Sequence, residues 1–101
     1  MVVVKGRIPV KAAALPALLA AASAMTAATL AEEGCLQYVF ALDAADPLVV
    51  HLFEHWESSE ALDTHFATDH FRSFSQVFVS AADGTADFVR YEVLSSAPLF
   101  G

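Results

Sequence analysis

The chain is poor in the residues that announce a function. It has a single cysteine, Cys35, which excludes an intrachain disulfide and cannot by itself hold a metal. It has five basic residues against twelve acidic ones, a net charge of −7. Lys5, Arg7 and Lys11 form the only basic cluster, and Arg72 and Arg90 stand alone. A nucleic-acid partner needs a basic face, and the sequence shows none. Four glycines and four prolines leave no room for a low-complexity linker. No internal repeat is visible, so residues 1–101 read as one domain, and a reducing cytoplasm fits the cysteine usage.

What the chain has in abundance is apolar side chain, 56% of its residues. That is high for a small domain with only 17% charged residues, and it implies apolar surface buried between copies as well as within one, hence a homodimer. Near the N-terminus, Lys5, Arg7 and Lys11, the Ala/Leu-rich run Ala12–Ala22 and Ala22-Ser23-Ala24 imitate a secretory leader. The β-branched segment before them reads instead as a strand. A membrane span is not expected, because Ser23, Thr26 and Thr29 interrupt a run already short of about twenty apolar residues.

Periodicity orders the elements. Val2–Pro9 is rich in β-branched residues and reads as a strand. From Ala12 to Ala31, Leu15, Leu18, Leu19, Ala22, Met25, Thr26, Thr29 and Leu30 recur at three- and four-residue steps, the stripe of a helix that Gly34 stops. Cys35–Asp43 is a second strand, with Cys35, Gln37, Val39 and Ala41 on one face and Leu36, Tyr38, Phe40 and Leu42 on the other. Leu48–Trp56 is a third, joined to it through Asp46-Pro47 as a hairpin. Ser58 or Ser59 caps a helix carrying Ala61, Leu62, His65 and Phe66 on one face. A second helical piece carries His70, Phe71, Phe74, Val77 and Phe78. After the Ala82-Asp83-Gly84 turn, Ala86–Leu94 is the last strand. Strand, helix, strand, strand, helix, strand is the ferredoxin-like βαββαβ pattern, an α+β fold with helices on one face of a four-stranded antiparallel sheet. The other face, expected to be rich in Val, Phe and Leu, would meet the same face of a second copy.

Reactive side chains collect between Glu54 and Phe71. Glu54 and Trp56 share strand parity, so both face the helices, where His65 is also expected to point. His51 and His55 have the opposite parity and point to the other side. The parities split the histidines between the two sides of the sheet, so no metal site is expected. A buried carboxylate beside an indole can have a raised pKa and act as a base, and an imidazole can take a phenolic proton near neutral pH. For each of these residues the competing reading is ordinary packing: a core Trp, a satisfied Glu, a structural His. His70 fits a helix cap, and Arg90 fits a pair with Glu92 or a second subunit.

Glu33-Gly34-Cys35-Leu36-x-Tyr38, then Glu54-x-Trp56-x-Ser58-x-Glu60-Ala61-x-x-x-His65, then His70-Phe71, together resemble the antibiotic biosynthesis monooxygenase family, of the dimeric α+β barrel group that includes quinol monooxygenases. The resemblance implies a dimer whose two sheets form a barrel, with a pocket between sheet and helices in each subunit. It also implies oxidation of a small aromatic, quinol or polyketide-like molecule by O₂ without metal, flavin or haem. In that scheme His65 is the proton acceptor, Glu54 its partner, and Trp56 the ring clamp and donor. Tyr38, Phe40, Phe66, His70, Phe71, Phe74 and Arg90 would surround the substrate. The haem-degrading branch carries an iron-ligating histidine at a position that falls near Ser75 here, and an asparagine in the first strand that this chain lacks. Haem degradation is therefore disfavoured, and the missing asparagine also weakens the transfer of the polyketide-oxidising mechanism. Two further readings stay open: a non-catalytic dimeric ligand-binding or stress-response protein, and an isomerase of small metabolites.

Overall fold

The computed structural model describes all 101 residues. Its strands are β1 (Val2–Pro9), β2 (Cys35–Leu42), β3 (Val49–Trp56) and β4 (Asp87–Glu92); its helices are α1 (Leu15–Leu30), α2 (Ser59–Phe66) and α3 (Asp69–Ala81). The sheet runs β2-β3-β1-β4, every neighbouring pair antiparallel. This is the ferredoxin-like α+β arrangement. The second helical region is two helices with a break at Ala67-Thr68, and a single 3₁₀ turn, Ala12–Ala14, precedes α1.

Helix boundaries follow local chemistry. Pro16 sits in the first turn of α1, where its missing N–H leaves nothing unsatisfied. Ser58 caps α2 by accepting from Ala61 N, and Thr68 caps α3 by accepting from Phe71 N. Thr68 also donates its hydroxyl to His65 O at 2.7 Å, which ties the end of α2 to the start of α3. Gly34 has φ +86° and sits against Ala61, where a Cβ would lie 2.7 Å from the Ala61 Cβ. Only glycine allows both that turn and that approach.

The core lies between sheet and helices. Val2, Ile8, Val50, Leu52 and Trp56 are buried on the sheet, and Leu18, Ala22, Met25, Leu62 and Phe74 on the helices. Helix α1 with its preceding turn, Ala12–Leu30, is long and apolar enough by length and composition to cross a membrane, contrary to the sequence argument from its polar interruptions. In the structure its Leu18, Ala22, Met25 and Thr29 are buried, and it packs on α3 and β2.

Two details of the sheet depart from alternation. The β2–β3 register shifts between Cys35 and Gln37, so Cys35 pairs with Trp56 and joins the helix-facing side, rather than the side of Gln37, Val39 and Ala41. A bulge of one residue reverses parity for everything before it. The face away from the helices is also less apolar than expected. Its cross-strand rows are Val39–Phe53–Lys5–Val89, Gln37–His55–Val3–Tyr91 and Ala41–His51–Arg7–Asp87. Leucines 42 and 52 pair with Val50 and Phe40 on the helix side instead.

Candidate active site

On the helix-facing side of the sheet, alternation places Val4, Leu52, Glu54 and Tyr38 as neighbours, since Glu54 pairs with both Val4 and Tyr38. Above them lie α2 and α3. Between the two layers is a cavity of about 280 Å³ lined by Val4, Tyr38, Leu52, Glu54, Phe66, Phe71, Ser75, Phe78 and Phe88. Gly6 makes room for one wall. The Phe88 ring lies over it, with ring carbons 2.7 Å from where a Cβ would stand.

The cavity is apolar apart from Glu54, the Tyr38 phenol and the Ser75 hydroxyl, and Ser75 donates to Phe71 O at 2.8 Å. Glu54 is 5% exposed. Within the chain its carboxylate accepts one hydrogen bond, Trp56 Nε1–H to Oε1 at 2.9 Å. Burial pushes its pKa up to about 7, with the Trp56 bond opposing and the charge of Glu32 adding. Burial likewise holds the Tyr38 phenol far above its usual range, with Glu54 adding to the effect, so Tyr38 stays protonated and can donate.

Of the residues expected around a substrate, Tyr38, Phe66, Phe71 and Glu54 line this cavity. Phe40 and Phe74 do not; their rings pack on each other with centroids 5.2 Å apart. Arg90 is engaged with Glu92 Oε1 at 3.0 Å and Ser59 Oγ at 2.8 Å. Trp56 is fully buried and its N–H is committed to Glu54, so it holds that carboxylate in place instead of clamping a ring. Ser75, Phe88, Leu52 and Val4 are cavity residues the sequence reading did not select.

The expected pairing of His65 with Glu54 is not formed. His65, 1% exposed, instead meets Glu32: its Nδ1 lies 2.6 Å from Glu32 Oε2. His70 Nε2 reaches the same oxygen at 2.8 Å. His70 is therefore a partner of Glu32 and not a helix cap, a position Thr68 fills. Glu32 belongs to the turn after α1 and is a residue the sequence reading did not select. Its partners lie 33 and 38 residues away, a separation that leaves no local signal.

The imidazole of His65 lies just outside the cavity lining. Its ring centroid is 4.9 Å from Trp56, 5.5 Å from Tyr38 and 5.3 Å from Phe71. Burial lowers its pKa against the pull of Glu32, and its Nε2 has no hydrogen-bond partner. His51 and His55 lie on the opposite face as parity requires, His51 bonded to Asp43 at 2.7 Å. Cys35 is half-buried, and burial together with Glu32 and Glu54 raises its pKa, which keeps it a thiol.

Residues 1–77 match the family described as antibiotic biosynthesis monooxygenase. No curated protein matches the chain. Among solved structures, a Mycobacterium tuberculosis protein is similar with 28% identity and a TM-score of 0.88, over 96% of this chain and 98% of that one. A structure named antibiotic biosynthesis monooxygenase is 25% identical with a TM-score of 0.86, over 94% of this chain and all of that one. A Pseudomonas aeruginosa protein is 26% identical with a TM-score of 0.83, over 93% and 94%.

Proposed function

The chain belongs to the antibiotic biosynthesis monooxygenase family, and we propose that it oxidises a small aromatic quinol or polyketide-like phenol with O₂ in the cavity beside Glu54, without an organic cofactor. The observation that carries this reading is one carboxylate with a pKa of about 7 facing a mostly apolar, largely aromatic cavity of about 280 Å³. A group titrating near neutrality is suited to take a proton and return it.

Glu54 takes the hydroxyl proton of the bound quinol. The resulting anion reduces O₂ by one electron, and the radical pair combines at a ring carbon to give a hydroperoxide. Loss of water then leaves a hydroxyquinone. Quinol and O₂ give hydroxyquinone and water, so the substrate supplies all the electrons and no external reductant is required. The Tyr38 hydroxyl donates to the developing oxyanion, and the phenylalanines at 66, 71, 78 and 88 stack on the ring and exclude bulk water. Trp56 fixes the base through Nε1–H. His65, out of the lining, orients the aromatic wall and leaves the proton transfer to Glu54.

Two copies joining through their open sheet faces would cover Val39, Phe53, Val89 and Tyr91, each 37–45% exposed in the single chain. The test of function is oxygen uptake with a panel of naphthoquinols and anthrone-type phenols. The reading expects uptake equal to substrate consumed, none under nitrogen, and a rate roughly a hundredfold lower or worse in Glu54→Gln. Turnover that persists without O₂, or at full rate in Glu54→Gln, would overturn it. Tight binding of the panel with no turnover would favour a non-catalytic binding protein.

A further inference from the structure

We infer that Glu32, His65 and His70 form a binding site for one first-row divalent cation, with Zn²⁺ the representative ion. Three elements contribute: the turn after α1, the last turn of α2 and the first turn of α3. They bring one ligand-capable atom from each residue to within 4.8 Å of the others. Two imidazoles and one carboxylate are a donor set suited to zinc and its neighbours. Both imidazoles point a nitrogen at the same carboxylate oxygen, at 2.6 and 2.8 Å. A cation about 2.0–2.1 Å from each donor would take the place of the two shared protons.

Two further observations point to a ligand. Glu32 Oε1 is out of reach of solvent and has no hydrogen-bond partner, so the carboxylate keeps an unused donor atom beside the cluster. Glu32 also forms part of the wall of an open cleft of about 420 Å³, whose other residues include Glu33, Glu57, Glu60, Thr64 and Thr68 and no lysine or arginine. Four carboxylates around one cleft concentrate cations beside Glu32. Coordination through Nδ1 would put the His65 proton on Nε2, which has no other hydrogen-bond partner in a setting of aromatic rings, Tyr38, Trp56 and Phe71, with centroids 4.9–5.5 Å from its own. The arrangement was hidden in the sequence because the two histidines belong to different helices. Thr68, which caps α3 and holds the end of α2, sets their spacing.

The experiment is a calorimetric titration of the chelator-treated protein with Zn²⁺, repeated with Co²⁺ while recording visible absorption and the paramagnetically shifted imidazole resonances. The inference expects one ion per chain and shifted signals from two histidines. Binding should weaken more than about a hundredfold in His70→Ala and in Glu32→Gln, and stay unchanged in His51→Ala. Absence of stoichiometric binding, or binding that survives His70→Ala and is lost in His51→Ala, would overturn it and leave a hydrogen-bonded cluster only. If either variant fails to fold, the two-histidine signature in the unmodified protein decides. No substrate is present, so this result stands apart from the success or failure of the oxidation reading.

Discussion

At the scale of single residues, Glu54 carries the most consequence. Burial beneath the helices raises the pKa of its carboxyl to about 7. A carboxyl whose pKa is raised on folding binds its proton more tightly in the native state. The stability it contributes is full below its unfolded value of 4.5 and is lost as pH rises through about 7. The loss is on the order of 3 kcal/mol. In Glu54→Gln the neutral amide can still accept from Trp56 and does not ionise. The difference in melting temperature between variant and wild type should therefore grow in favour of the variant from pH 4.5 to above 7. Thermal melts across that range check this, and a flat difference would contradict it. Strand parity alone placed Glu54 and Trp56 on the helix-facing side. The partner of His65 was not legible, because depth across a layer has no periodic signature.

At the scale of elements, the turn at Gly34 holds the arrangement together. Gly34 O accepts from Glu57 N at 2.8 Å, fastening the turn after α1 to the chain just beyond β3. Its positive φ and close contact with Ala61 are open to no other residue. Gly34→Ala should cost on the order of 2 kcal/mol from backbone strain, with the Ala61 contact adding to it. Because Glu32 is two residues away, the same change should disturb the resonances of His65 and His70. Chemical denaturation and imidazole NMR measure both effects; an unchanged midpoint would contradict the account. The strands and helices themselves were readable to within about three residues at their ends, since apolar periodicity and the Ser58 cap are local signals. The bulge between Cys35 and Gln37 was not, and it is why Cys35 faces the helices. The break between two helical pieces was read in the sequence, and Thr68 is the capping hydroxyl that starts the second.

At the scale of the whole molecule, the sheet separates two environments. One side holds a largely aromatic cavity with a single titrating carboxylate, Glu54. The other is an open face whose apolar rows are broken by Lys5, Arg7, His51 and His55. The expectation was a face rich in Val, Phe and Leu; the register distributes the leucines elsewhere and leaves a mixed surface. Two copies meeting through it would mass twice 10.8 kDa. Sedimentation equilibrium should show that dimer, and Phe53→Lys at the centre of the open face should shift it toward single chains while leaving the fold intact. A mass that does not respond to Phe53→Lys would place any association elsewhere.

The central claim, that Glu54 is the base of an oxygen-consuming reaction, is tested most directly by the pH dependence of oxygen uptake with a quinol that turns over. The account predicts a rate that rises with pH through a transition near the carboxyl's pKa of about 7 in the wild type, and a low rate without that transition in Glu54→Gln. The same transition at the same rate in Glu54→Gln would contradict it.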